Sequence, residues 1–192
     1  MFERQLAFSG FEPSPELDFL FFALLLDAED ARQIVQLRAR LLLELDLTGR
    51  PIATERLHVS LHSIGAWHGL SPAAVKAAKA VGTSFSRRPF EIVFDRAMSF
   101  AGNRAFVLRA SANIALKSFH HGLGVDMKKA GIGRRVTSRF TPHMTLLYGD
   151  RMVPERSIEP IRWTVRDFVL VQSLRGRHRS EHNHLERWTL AG

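Results

Sequence analysis

The sequence predicts an α+β protein of two packed lobes, in which two antiparallel sheets line a central cleft and helices lie outside. An apolar, β-prone run with a histidine and a hydroxyl residue two apart occurs twice, at Leu57–Leu61 and Pro142–Leu146, and the two histidines are 85 residues apart. A strand-helix-strand pattern leads to each copy, and a hairpin pattern accompanies each. We therefore expect residues 1–192 to form one domain of two intertwined lobes.

The first half is expected to contain a strand, a helix and a second strand. Residues 19–26 are apolar and β-prone, and residues 57–64 carry the first histidine. Between them, apolar residues recur at helical spacing over about 28–45. Asp27 stands where a helix cap is expected, and glycine and proline follow the end of the pattern.

The second half repeats this plan. Residues 105–109 form the strand, Ser111 caps a helix, and a glycine-rich basic loop leads to the second histidine. From capping residue to histidine the distance is 31 residues in the first half and 32 in the second. This similarity predicts an internal structural repeat.

A further helix and two hairpins complete the two lobes. In both hairpins, apolar and polar residues alternate and turn residues separate the runs. The segments are a helix from Ser71-Pro72 to about Phe85, a hairpin of residues 90–100 with 104–109, and a hairpin of residues 163–174 with 185–190.

The composition limits the kinds of site and the location. Cysteine is absent from the sequence, which excludes disulfides, thiolate nucleophiles and cysteine-ligated metals within it. The most apolar stretch, residues 19–26, is too short to cross a membrane and follows acidic residues. We expect a cytoplasmic monomer that has no membrane partner.

Positive charge is concentrated in the second half. Residues 1–100 carry 11 Lys and Arg against 12 Asp and Glu, a net charge of −1, and residues 101–192 carry 16 against 7, a net charge of +9. Such a field indicates a polyanionic ligand, although a solubilising basic face is the alternative. Basic residues lead directly into the second motif: Lys128, Lys129, Arg134, Arg135 and Arg139.

The two motifs suit hydrolysis of a phosphodiester. On a strand, residues two apart share a face, so His58 with Ser60 and His143 with Thr145 can address one target. In-line displacement at phosphorus needs a base on one side and an acid on the other, and imidazole serves both near neutral pH. The hydroxyls would hold the non-bridging phosphate oxygens. A single copy is ordinary strand chemistry, but two copies in matching frameworks predict a site without a metal.

With three further segments, the motifs resemble those of the 2H phosphoesterases, in particular the bacterial LigT-like RNA 2',3'-cyclic phosphodiesterases and 2'-5' RNA ligases. These segments are Phe21 to Leu24, Phe140 to His143 and Val169 to Ser173, and the resemblance spans residues 19–190. It implies a bilobal, pseudo-two-fold α+β fold. It also implies opening of RNA 2',3'-cyclic phosphate ends to 2'-phosphate, without metal or cofactor, and reversible 2'-5' ligation.

The resemblance also implies roles for the two imidazoles. By this similarity, His58 is the general acid that protonates the 3' oxygen and His143 is the base that activates water. The sequence alone leaves the two roles interchangeable, because the motifs are nearly symmetric and the reverse reaction exchanges the roles by microscopic reversibility.

The sequence departs from the family pattern at several positions. Arginines that are common in the family are replaced by Asp18-Phe19 and by Leu147-Tyr148, and Ser60 stands where threonine is usual. We expect Tyr148 and Arg175 to be candidates for the missing substrate contacts.

Other ring residues are expected to have structural roles. On a regular strand His62 would share the face of His58, but at about 13 Å the two cannot share a zinc ion. Phe140 could stack on a terminal base, and core packing is the favoured alternative. A solvated polar loop is expected to contain His178, His182 and His184.

Two alternative functions remain open at this point. A phosphodiesterase for a small nucleotide or a 2'-5' oligonucleotide would use the same mechanism. A non-catalytic RNA-binding protein would hold phosphate with the same residues, bind in a salt-sensitive way and form no product.

Overall fold

The computed structural model describes residues 17–137, 139–175 and 180–191. The elements in these ranges are β1 (Leu17–Leu25), α1 (Ala28–Glu44), β2 (Arg50–Pro51), a 3₁₀ turn (Thr54–Arg56), β3 (His58–Trp67), α2 (Pro72–Ser84), β4 (Phe90–Phe100), β5 (Ala105–Arg109), α3 (Ile114–Lys129), β6 (His143–Tyr148), β7 (Arg156–Val165), β8 (Asp167–Arg175) and β9 (Ser180–Thr189). Among them, no helix has the length and apolar character needed to cross a membrane.

Antiparallel pairing joins the strands in the order β7-β4-β5-β6-β3-β1-β8-β9, with β2 beside β6. Two halves meet between β3 and β6, where Val59 is registered opposite Met144; we call these two residues the central pair. Each half contains a strand-helix-strand unit whose strands are neighbours, β1-α1-β3 in one and β5-α3-β6 in the other. The predicted α+β fold with pseudo-two-fold halves is confirmed, and the two sheets are continuous through the central pair.

The strand predicted at 163–174 is two strands, β7 and β8, separated by Arg166. β7 pairs with β4 at the edge of one half, whereas β8 pairs with β1 in the other half. Because a single residue separates them, the sheet must curve until the two halves approach each other there. The prediction missed the boundary because the apolar pattern runs through both strands, with Trp163, Val165 and Phe168 all buried.

Two of the three predicted helix caps are present. Asp27 caps α1 and Ser71 caps α2 through side-chain hydrogen bonds to backbone N–H groups. Ser111 was a wrong prediction, since Asn113 caps α3, and Ser111 instead donates its hydroxyl and its backbone N–H to the carboxylate of Asp95. From residue 113 to residue 143 the distance is 30, so the internal repeat still holds.

The two faces of the sheet differ in the size of the apolar cluster that packs on them. One face packs with the helices around a large core to which both halves contribute, including the fully buried Phe22, Phe94 and Phe168. The other face carries a small apolar cluster in the half that contains β1. It consists of the buried Ala23, Val169 and Val171 with the partly buried Phe21 and Leu25.

Candidate active site

The two histidine motifs lie side by side at the centre of the sheet. The antiparallel register of the central pair places His58 opposite Thr145 and Ser60 opposite His143. Since the central pair is fully buried in the core, these four side chains share the opposite face of the sheet. In such a register the two histidines are diagonal neighbours, with Cα atoms about 7–8 Å apart.

A β-bulge follows the hydroxyl residue in both motifs. The register of β3 against β1 shifts between Ser60 and His62, and that of β6 against β5 shifts between Thr145 and Leu147. Each bulge turns to the core a side chain that regular alternation would place on the site face, His62 in β3 and Leu147 in β6. The row of polar side chains therefore ends after two residues in each strand. The expectation that His62 shares the face of His58 is therefore wrong, and His62 is only 3% exposed.

Both imidazoles are held in the same orientation. Nδ1 of His58 lies 2.7 Å from the carbonyl oxygen of Arg56, and Nδ1 of His143 lies 2.8 Å from that of Thr141. A carbonyl oxygen only accepts, so each Nδ1 donates and each Nε2 is left for proton exchange. Nε2 of His58 lies 3.1 Å from the hydroxyl of Ser60.

Aromatic rings support the two imidazoles. The ring of Phe21 lies 5.6 Å from His58, and that of Phe100 lies 4.9 Å from His143. His182 of β9 meets His58 edge-on at 5.4 Å. These contacts restrict the motion of both catalytic candidates and withdraw them partly from water.

Burial lowers the pKa of His58 below its ordinary value of 6.5, and the positive charges of His143, Arg56 and His184 lower it further. The hydrogen bond to the Arg56 carbonyl acts in the opposite direction. The influence of His143 means that the two imidazoles interact electrostatically across the site. In the free protein, His58 is therefore mainly neutral at pH 7.

The positions of several residues near the two motifs were not predicted from the sequence. His182 and His184 lie on β9, not in a solvated loop, because that strand begins at Ser180. Their spacing of two residues was the available strand signal. Arg109 is registered opposite His143 on β5 and forms an ion pair with Glu155. His178 lies outside the described residues.

The two remaining substrate-contact candidates differ in position. Tyr148 is the last residue of β6, at the opposite end of this strand from His143. There it lines a cavity of about 300 Å³ together with Arg104 and Asp150. The backbone of Arg175 is registered opposite Leu17, and its side chain lies outside the described part of the chain. Both roles stay predictions.

Three rings form a stack behind the site, on the core side of the sheet. His120 lies between His62 and Phe140, at 3.8 Å from each ring. Nε2 of His62 donates to the carbonyl oxygen of His120 at 2.8 Å. Phe140 thus packs against the core, the alternative that the sequence favoured. Burial, and then the charge of His62, lower the pKa of His120 to about 4.

We expect this stack to make folding stability depend on pH. His120 has a pKa of about 4 when folded and about 6.5 when unfolded, so the unfolded chain binds more protons between these values. Its contribution is complete above pH 6.5 and is lost as the pH falls towards 4. From pH 8 to pH 5 the loss is about 2 kcal/mol.

Urea unfolding at pH 8 and pH 5 measures this loss. The variant His120→Leu should lose about 2 kcal/mol less than the wild type between the two pH values, whereas the exposed His68→Gln control should behave like the wild type. An unchanged pH dependence in His120→Leu would contradict the assignment.

Comparison with known proteins agrees with this arrangement. A family model described as the 2'-5' RNA ligase superfamily matches residues 26–177. The apo crystal structure of E. coli LigT is 28% identical, with a TM-score of 0.74, and the match covers 92% of this chain and 99% of that one. A crystal structure described as a phosphoesterase is 27% identical, with a TM-score of 0.73 over 91% of this chain and 99% of that one. No curated protein matches the sequence.

A more distant structure supports the fold alone. The protein TT0787 of Thermus thermophilus is 21% identical, with a TM-score of 0.70 over 90% of this chain and 97% of that one.

Paired histidine motifs on the two central strands of a pseudo-two-fold sheet define a 2H phosphoesterase of the LigT-like kind. The chain belongs to the 2'-5' RNA ligase superfamily, and its function is of the phosphodiesterase or RNA ligase type.

Proposed function

We propose that this protein opens RNA 2',3'-cyclic phosphate ends to 2'-phosphate, with reversible 2'-5' ligation as a second activity. One observation carries the proposal. Two imidazoles lie diagonally on one sheet face, and a carbonyl oxygen holds each in the tautomer that leaves Nε2 for proton exchange. The protein can therefore supply an acid and a base to the two sides of one phosphorus atom from its own side chains.

His143 would take a proton from water while the water oxygen bonds to phosphorus. The bond from phosphorus to the 3' oxygen breaks, and His58 gives its proton to that oxygen, leaving a 2'-phosphate. Hydroxyl hydrogen bonds from Ser60 and Thr145 would stabilise charge on the non-bridging oxygens. The same sequence, with a nucleotide 5'-hydroxyl in place of water, gives 2'-5' ligation, and its reverse cleaves that linkage.

The lowered pKa of His58 is compatible with the acid role. Burial and neighbouring positive charge make its imidazolium a stronger acid but a rarer species in the free protein. A bound phosphate brings negative charge beside the ring, which raises the pKa again and favours the protonated form. The substrate would thus help to charge the group that acts on it.

A cavity of about 360 Å³, lined by Leu57 next to His58 in the sequence but not by His58 itself, would have room for the terminal nucleoside. Leu25, which is registered opposite His58, lines it together with Thr54, Glu55 and Arg187. In-line displacement places the ribose on the side of the acid, and therefore on this side of the site. E. coli LigT has been crystallised with 3'-AMP and with ATP, which supports nucleotide binding in the same fold.

Turnover of a defined RNA end tests the proposal. The purified chain should convert an RNA ending in 2',3'-cyclic phosphate to the 2'-phosphate in the presence of EDTA. Formation of a 3'-phosphate, or binding without product, would contradict it. A marked preference for small cyclic nucleotides or 2'-5' oligonucleotides would favour the small-nucleotide alternative instead.

Loss of one hydroxyl should slow the reaction less than loss of one imidazole. We expect Ser60→Ala and Thr145→Val each to lower kcat by about 10-fold, since each removes one hydrogen bond of ordinary strength to the phosphate. Ser63→Ala, on the same strand beyond the bulge, serves as the control. Steady-state kinetics on the cyclic-phosphate RNA make the measurement, and wild-type kcat in both site variants would refute this role.

A further inference from the structure

Arg56 is held beside His58 by contacts at both of its ends. It is the last residue of the 3₁₀ turn before β3, and its carbonyl oxygen accepts the Nδ1–H of His58 at 2.7 Å. Its guanidinium Nη2 lies 3.4 Å from Nε2 of His182. A guanidinium only donates, so His182 is the acceptor in this contact.

His182 is itself well placed to fix the guanidinium. Its ring packs edge-on against His58 at 5.4 Å and against Phe21 at 5.8 Å, and its strand pairs with β8 along its length. The guanidinium of Arg56 therefore lies on the site face, close enough for its charge to act on the His58 ring. Neither residue belongs to the two histidine motifs.

The direction of an RNA chain through the site follows from the chemistry. If His58 protonates the 3' oxygen, the terminal ribose lies on the side of His58. The 5' oxygen of that ribose carries the next phosphate of the chain, so this second phosphate enters the half that contains Arg56. The same half supplies Arg187 and His184 to the cavity wall. The reaction itself needs only the imidazoles of His58 and His143, so it does not account for the position of His182.

We propose that Arg56, positioned by His182, binds the phosphate on the 5' oxygen of the terminal nucleotide. The protein would then favour RNA ends over nucleoside 2',3'-cyclic phosphates, because only the former carry this second phosphate. A planar guanidinium is suited to bind a phosphate through two parallel hydrogen bonds. The inference rests on the proposed function and names the form of substrate that the site selects.

The test compares substrates that differ in a single phosphate. They are adenosine 2',3'-cyclic phosphate, the same compound with a 5'-phosphate, and a dinucleotide that ends in the same cyclic phosphate. The wild type should show a kcat/KM about 10- to 100-fold higher for the two substrates with the second phosphate. In Arg56→Gln this preference should fall to less than about 3-fold.

Two further variants sharpen the result. His182→Phe keeps a ring against His58 but removes the acceptor for Arg56, so it should lower the preference to a value between those of the wild type and Arg56→Gln. Arg162→Gln, an exposed arginine of β7 that pairs with Glu91, should keep the full preference. His182→Phe also preserves a test if Arg56→Gln does not fold, as judged by circular dichroism.

The possible failures can be told apart. Equal kcat/KM values for all three substrates in the wild type, or an unchanged preference in Arg56→Gln and His182→Phe, would overturn this inference alone. A preference confined to the dinucleotide and retained in Arg56→Gln would also overturn it, because it would come from the second nucleoside. If the folded wild type turns over none of the substrates, the proposed function itself has failed.

Discussion

Replacing His58 or His143 with alanine is expected to lower kcat by about 10²- to 10⁴-fold. In the proposed mechanism each variant removes one of the two groups that exchange protons with the reacting oxygens, and the remaining imidazole cannot act on both sides of the phosphorus atom at once. The KM for the cyclic-phosphate RNA should change much less, because the proposed phosphate contacts of Ser60 and Thr145 remain. Steady-state kinetics on this RNA, with product identity checked by mass spectrometry, provide the measurement.

The double variant provides a further check. In the proposed mechanism the two imidazoles act as one unit, so removing both should cost little more than removing one. His68→Ala is a suitable control, because His68 is an exposed histidine just beyond the end of β3. If either single variant keeps more than about a tenth of the wild-type kcat, the acid-base mechanism is wrong.

A sulfur atom in place of the 3' oxygen should restore the activity of only one of the two variants. A thiolate is a far better leaving group than an alkoxide and departs without a proton, so the general acid becomes dispensable. On a 2',3'-cyclic substrate with a 3' bridging sulfur, His58→Ala should come within about 10-fold of the wild type. His143→Ala should stay about 10²- to 10⁴-fold below the wild type, since activation of water still requires a base.

This experiment separates the two roles where a pH profile cannot. A bell-shaped profile reports the pKa values of an acid and a base, but it is the same curve when the two pKa values are exchanged between the groups. The sulfur substrate changes only the demand for the acid and leaves the orientation of the ribose unaltered. Recovery of His143→Ala instead of His58→Ala would reverse the assignment, and with it the direction that we infer for the RNA chain.

The bulges on β3 and β6 explain how a short motif makes a compact site. After each hydroxyl residue the strand returns its next side chain to the core, so the polar row holds only one imidazole and one hydroxyl. In β3 this places His62 in the ring stack with His120 and Phe140. The segment that leads to His143 is thereby packed against the core directly behind the site.

Local periodicity in the sequence determined much of this protein. The alternation within each motif was sufficient to put His58 with Ser60, and His143 with Thr145, on one face of a strand, because the strand repeat is two residues. The similar cap-to-histidine distances revealed the repeat even though Ser111 was the wrong cap for α3. A strand repeat carries no information about which distant strand becomes a neighbour.

The tertiary structure decided the features that depend on pairing between distant segments. Adjacency of β3 and β6 sets the diagonal arrangement of the two imidazoles, and the register shifts alone turn His62 to the core. Arg56 and His182 are 126 residues apart and meet only because β9 joins β8 beside β1. Such contacts follow from non-local hydrogen bonding and from the packing of the whole sheet, which no short stretch of sequence specifies.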